Sequence, residues 1–266
     1  MAEPASPDDV DSERITSPEL MFVNDLDFES DFDGDDMVGR ARIGDVLRTG
    51  PGGNVRPSVL ATLADIVAGR IATIPTDPRL ALTLDIDVRI LVDMVGDEVE
   101  VLASIIKAGR TTVATEALFR QPGRPGLVAI GELTFIASPR PQDLNPTMIG
   151  TMRQRGTITR PLADDVGIRI VGPGVAEIDR SPRVTQLSGT LQGGIVALLG
   201  EVAAESLIGR PVRDLSVRYL TTVRVGPGRA TATEVADGLV RVEVRDTGRD
   251  DRLAAMILAR TDGGAA

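Results

Sequence analysis

Two carboxylates stand where carboxylates are least expected. Asp65 in VLATLADIVAG and Glu201 in GGIVALLGEVAAES each sit in the middle of an apolar, small-residue segment, and burying such a group is costly unless it is paired or put to use. Burial would raise the pKa of either one, which suits a base or nucleophile working near neutral pH. The structural alternative is a satisfied carboxylate facing one of the chain's many arginines. Gly193-Gly194 opens the second segment. At a helix start, their unpaired N–H groups and the helix dipole would favour an oxyanion; the plainer reading is that the pair caps or packs the helix entrance. The chain contains no His, Cys or Trp, which rules out a Ser-His-Asp triad, a Cys-His pair, a zinc finger and an HExxH metal site. Any hydrolysis must therefore run on carboxylates, hydroxyls and backbone donors, and no metal centre is expected.

What positions these groups is an internal repeat. PSVLATLAD (57–65) and GGIVALLGE (193–201) share apolar, small and acidic classes position by position, with Asp65 and Glu201 136 residues apart. A second pair, DIDVRIL (85–91) and DLSVRYL (214–220), follows at an offset of 129, so the first copy carries a connection seven residues longer. Each copy continues with alternating, β-branched stretches: EVEVLASIIKAG, RTTVATEALFR and LVAIGELTFIA in the first, RATATEVADG, LVRVEVRD and RLAAMILAR in the second. These are antiparallel strand signals. Ahead of the first helix, LMFVNDLDF and MVGRARI read as a hairpin turning at Asp33-Gly34, and VGIRIVGPGVAEID is its counterpart in the second copy. The acidic run at 25–36 cannot be an EF-hand loop, because no register puts both Gly and Glu where that loop needs them. Gly-Pro-Gly at 50–52, 172–174 and 226–228 reads as turns, since none extends to a GxGxxG fingerprint.

Each unit is thus two strands, one apolar helix and about four strands, with the helix buried by antiparallel strands wrapped round it. The expected class is α+β. The expected organisation is an acidic tail at 1–18, a first repeat at 19–138, a linker at 139–159 rich in proline, and a second repeat at 160–266. The 266 residues carry a net charge of −10, but the first 36 hold 13 acids and one base, which leaves the body near neutral. A near-neutral body with five Phe and one Tyr argues against nucleic acid as a partner. The first twenty residues lack a basic n-region and an apolar core, and no eighteen apolar residues run together, so a cytoplasmic protein without a membrane span is expected.

QLSGTLQGGIVALLGE (186–201) resembles the NxxGTxHGGxxxxLxD/E signature of hotdog-fold acyl-CoA thioesterases of the hydroxybenzoyl-CoA and phenylacetate-pathway type. Gly189, Thr190, Gly193, Gly194, Leu199 and Glu201 fit it; Gln186 replaces the usual Asn and Gln192 the usual His. In the first copy Arg56, Pro57 and Ser58 take the HGG positions, while Leu63, Ala64 and Asp65 fit. ALTLDIDV (81–88) resembles the strand that supplies a hydroxyl to the carboxylate, at Thr83, whose equivalent in the second copy is Val212.

The resemblance implies a tandem, or double, hotdog with sites shared between the copies. One would join Gln186, Gln192, Gly193 and Gly194 to Asp65 and Thr83. The other would join Arg56, Pro57 and Ser58 to Glu201 and Val212, but Pro57 has no N–H and Val212 no hydroxyl, so that site is expected to be degenerate or differently used. The implied activity is hydrolysis of an acyl-CoA thioester in lipid metabolism, with coenzyme A entering as part of the substrate and no other cofactor. Lys107 and Arg110, in KAGRT, are candidates for its phosphates, against the default of an exposed basic turn. Relatives that hydrate or dehydrate normally use His, which this chain lacks. Two alternatives stay open: a non-catalytic acyl-CoA or acyl-chain binding hotdog, and a structural one if the groove between the copies is filled. Homo-oligomer formation is compatible with either.

Overall fold

The small-residue segments form helices and the alternating segments form strands. A computed structural model of the chain describes residues 20–139, 152–154, 156–186 and 188–261. The expected acidic tail at 1–18 and most of the expected linker lie outside those residues.

The first copy opens with the hairpin of β1 (Phe28–Asp33) and β2 (Asp36–Arg42). Its turn uses Gly34 at φ 65°, a left-handed conformation that glycine adopts without steric penalty. The residues just upstream do not extend the strand as expected. Phe22–Asp25 coils into a 3-10 turn with Phe22 buried, because Arg183 of the second copy holds it from outside: its carbonyl accepts the Phe22 N–H at 2.9 Å, and its guanidinium donates to Asp25 at 2.6 Å. Helix α1 (Pro57–Thr76) then begins with proline at its first position, where the missing N–H is not needed by the helix. Val59, Leu60, Leu63, Ala64, Val67, Ala68 and Ile71 are at most 2% exposed, so the helix is buried nearly all round. It is long and apolar enough to cross a bilayer, yet it packs under β2, β3 (Ala81–Ile90), β4 (Glu98–Ala108), β5 (Thr112–Arg120) and β6 (Ala129–Ala137).

The expected linker is not purely a connection. Within it, β7 (Met152–Gln154) pairs antiparallel with β1, a strand too short for any periodicity to announce it. The second copy runs α2 (Leu162–Asp165), β8 (Arg169–Gly172), β9 (Val175–Ile178), α3 (Gly193–Ile208), β10 (Val212–Tyr219), β11 (Gly228–Ala236), β12 (Leu239–Asp246) and β13 (Arg252–Thr261). The single turn of α2 precedes its hairpin as the 3-10 turn Phe22–Asp25 precedes the first, and Arg183 bonds both Asp165 and Asp25.

Among the described residues all the strands join in one sheet, ordered β7-β1-β2-β4-β5-β6-β3-β10-β13-β12-β11-β9-β8. The copies meet at β3 and β10, which pair antiparallel through Val88↔Leu215 and Ile86↔Val217. These four side chains are buried. On the other face Arg218 reaches Asp87 at 3.0 Å across the same seam. Beneath it α1 and α3 lie side by side. Ser58 at the start of α1 touches Glu201 midway along α3, and Asp65 midway along α1 faces Gly193 at the start of α3. The helices therefore run antiparallel, and each N-terminus points at the other's central carboxylate.

Candidate active site

Asp65 lies midway along α1, packed beside buried Ala64. Thr83, on the adjoining β3, donates its hydroxyl to Asp65 Oδ1 at 2.7 Å. Burial pushes the carboxyl up to about 6 from an ordinary value of 3.8, and the Thr83 bond pulls it partway back. The other oxygen, Oδ2, lies 3.7 Å from where a Cβ on Gly193 would stand. No side chain caps the first turn of α3 among the described residues, so the Gly193 and Gly194 N–H groups keep the donor capacity that helix starts leave unused. A raised-pKa carboxylate, a hydroxyl bonded to it and an uncapped helix N-terminus thus converge from three elements of both copies.

The glycines also serve a purpose that the sequence does not reveal. A Cβ on Gly193 would sit 3.2 Å from the Tyr219 hydroxyl, and one on Gly194 would collide with Thr62. The room they leave is taken by these side chains, so the pair serves packing at the helix entrance. Tyr219, at the end of β10, donates to the Gly193 carbonyl at 2.9 Å. Sequence reasoning passed over it except as an aromatic. The available signal was its repeat position, where the first copy has the buried Ile90.

Gln186 and Gln192 organise the loop before α3. Gln186 donates to Thr190 Oγ1 at 2.8 Å, and Gly189 turns there at φ 74°, its carbonyl held by Arg180 at 2.6 Å. Gln192, buried at the N-cap, directs its amide at the Thr185 carbonyl at 3.3 Å. Gln192 thus tethers the loop ahead of α3 to its own helix start.

The second composite position is closed from within. Glu201 is fully buried; it accepts the Ser58 N–H at 2.9 Å and pairs with Arg56 at 2.7 Å. Arg56 also meets Glu205 at 2.9 Å. Burial, and next the charge of Glu201, push Glu205 up to about 7. For Arg56, burial opposes the charge but the two glutamates outweigh it and raise its pKa. Glu201 is thus a paired structural carboxylate whose own oxygen occupies the first amide that α1 could offer to an anion. The equivalence of Asp65 and Glu201 in sequence does not carry over to their surroundings.

Lys107 and Arg110 are exposed at the β4–β5 hairpin. The register runs Thr83↔Phe135, Phe135↔Val113 and Val113↔Ala108. Lys107 therefore adjoins the row containing Thr83, three strand spacings or about 14 Å along the sheet. The structure does not bring these basic residues into contact with Asp65. Two surface clefts lie elsewhere, around Arg40, Glu98 and Arg153 and around Arg42, Gly96 and Gln121.

Solved structures share the fold. The 12:0-ACP thioesterase of Umbellularia californica matches with a TM-score of 0.61 at 11% identity, over 88% of this chain and 99% of its own. The tesB protein of Mycobacterium avium subs paratuberculosis matches with a TM-score of 0.58 at 15% identity, over 89% and 96%. A hot dog fold protein of unknown function from Alicyclobacillus acidocaldarius matches with a TM-score of 0.50 at 15% identity, again over 89% and 96%. No protein-family model and no curated protein sequence matches the chain. At these identities the likeness is one of fold: the chain is an α+β double hotdog.

Proposed function

We propose that the protein hydrolyses an acyl thioester at the site formed by Asp65, Thr83 and the N-terminus of α3, with acyl-CoA as the substrate class. One observation carries the reading: the carboxylate bonded by Thr83 at 2.7 Å faces the uncapped Gly193-Gly194 helix start across the repeat boundary. Thioesterase names among the structural neighbours, two of which act on acyl-ACP by name, agree with the reaction.

The thioester carbonyl oxygen would take the Gly193 and Gly194 N–H groups, where the helix dipole stabilises the charge that develops on it. Ionised Asp65 then either removes a proton from the attacking water or attacks the carbonyl carbon itself. In the first route the new C–O bond forms, the C–S bond breaks, and the thiolate leaves with the proton that Asp65 accepted. In the second the Asp65 oxygen bonds the carbonyl carbon, the C–S bond breaks and the thiolate leaves; water then opens the acyl anhydride on Asp65, freeing the acid and supplying the thiolate's proton. Both need Asp65 unprotonated, and Thr83 orients it. Lys107, on the row beside Thr83, and Arg110 in the turn that follows would meet the phosphates of an extended thiol carrier.

A second reading, an acyl-binding hotdog without turnover, draws on the close packing of Thr62 against Gly194 and on Gln192 being committed to Thr185. One experiment separates them: short, long and aromatic acyl-CoAs, and one acyl-carrier protein, assayed for released thiol with wild type and Asp65→Asn. Thiol release lost in the variant supports the hydrolase; saturable binding without release supports the second reading.

A further inference from the structure

The chain has a single tyrosine, and it stands at the Asp65 site. We propose that Tyr219 is a positioning residue for that site, its hydroxyl fixing and polarising the Gly193–Gly194 peptide so that the Gly194 N–H is held as an oxyanion donor. The inference rests on the thioester-hydrolysis reading.

The argument is covalent first. The Gly193 carbonyl and the Gly194 N–H are two ends of one planar peptide unit, so a donor on the carbonyl sets the direction of the N–H. A hydrogen bond into the carbonyl also polarises that unit and strengthens the N–H as a donor, by about 10–30%. Tyr219 donates to this carbonyl at 2.9 Å. Two consecutive glycines at a helix start are the least constrained backbone the chain could put there, so an outside tether has the most to do.

The absence of a Cβ on Gly193 lets the tyrosine approach this peptide without crowding. Its hydroxyl and ring carbon Cζ would stand 3.2 and 3.4 Å from one. Burial, and then the charge of Asp65, hold the phenol well above its ordinary pKa, so the hydroxyl stays protonated and keeps donating while Asp65 is ionised. Its proton is committed to the Gly193 carbonyl, which argues for positioning over acid catalysis. The repeat supplies an internal control. At the matching places the first copy has Ile90, whose side chain cannot donate, in place of Tyr219, and Pro57-Ser58 in place of the glycine pair; there the Ser58 N–H, the counterpart of the Gly194 N–H, is taken by Glu201. The hydroxyl and the glycine pair occur together at one site and are missing together at the other, where the carboxylate itself takes the helix-start amide.

Tyr219→Phe removes the hydroxyl and keeps the ring. With an acyl-CoA that wild type hydrolyses, kcat is expected to fall about tenfold, the scale of one hydrogen bond. KM should stay within about twofold, and the Asp65 ionisation should not move. In 15N-labelled protein the Gly194 amide proton should shift upfield, a change that a purely packing role for the ring would not produce. An unchanged kcat in Tyr219→Phe, while Asp65→Asn is inactive, would overturn this role and leave the hydrolase standing. Absence of Asp65-dependent hydrolysis in wild type would overturn both. An unmoved Gly194 amide overturns the positioning role whatever the activity.

Discussion

Glu201 accepts a hydrogen bond from the Ser58 amide at 2.9 Å, placing one repeat's central carboxylate on the other repeat's helix start. The mirrored pair, Asp65 and Gly194, shares no such bond. Pro57 and Gly193 explain part of the difference. Proline leaves α1 with Ser58 as its first donor, and Arg56 at the N-cap supplies the cation that draws Glu201 in. On the other side Gln192 is neutral and turned to Thr185, so nothing cationic pairs with Asp65 there. A duplicated scaffold thus carries one closed and one available carboxylate.

Glu201→Gln should therefore act on stability far more than on turnover. The amide can still accept the Ser58 N–H, but the ion pair with Arg56 weakens and leaves Glu205 as its partner. Removing one member of a buried pair outright costs about 3–5 kcal/mol; with Glu205 retained, a loss of about 1–3 kcal/mol is expected, read as a lower denaturation midpoint. Thioester hydrolysis measured well below that midpoint should stay within about threefold of wild type. Losses as large as those of Asp65→Asn would mean that the second site works.

Activity against pH follows from Asp65. The working form is the carboxylate, and burial has raised its pKa to about 6. The kcat/KM of wild type should climb with pH through about 6 and then level, falling about tenfold per unit on the acid side. The chain has no histidine and Tyr219 stays protonated, so the Asp65 site gives no second limb near neutrality; Glu205, raised to about 7, belongs to the Arg56–Glu201 cluster and not to that site. Asp65→Asn should abolish both the rate and the limb; survival of either would remove Asp65 from the mechanism.

Thr83→Val tests the partner. The Thr83 hydroxyl bonds the charged form and lowers the Asp65 pKa against the effect of burial. Removing it should move the acid limb to higher pH, so the variant loses more activity at pH 5.5 than at pH 8. A uniform loss across the profile would limit Thr83 to packing.

How much of this was legible in the sequence depends on how far each contact reaches. The two long helices and most strands are plain because their patterns are local, and the repeat gave their order. The Asp65–Thr83 bond spans 18 residues and sits in a motif, so it too could be read. Glu201 on Ser58 spans 143 residues, and nothing near Glu201 announces Arg56 as its partner; identical class in the repeat suggested identical use. Tyr219 was hidden for a related reason: an aromatic ending a strand reads as core, and its hydroxyl's target lies 26 residues back at another element's start. The coil at Phe22–Asp25 and the strand β7 were missed because tertiary partners, Arg183 and β1, decide them over local pattern.

The last prediction sets stability against activity at one residue. An acid whose pKa is raised by folding binds its proton more tightly in the folded state. Its contribution to stability is therefore fully present below the unfolded value of 3.8 and is lost as pH rises to about 6. At pH 8 wild type carries a desolvated charge that the amide of Asp65→Asn would not, while the amide oxygen can still accept the Thr83 hydroxyl. The variant should be the more stable protein at pH 8, by at most about 3 kcal/mol from the size of the shift, and should lose that advantage by pH 4. Chemical denaturation of both proteins at the two pH values measures it. A catalytic group held against its own solvation preference gives this signature, whereas a carboxylate kept for structure would make Asp65→Asn the weaker fold at pH 8.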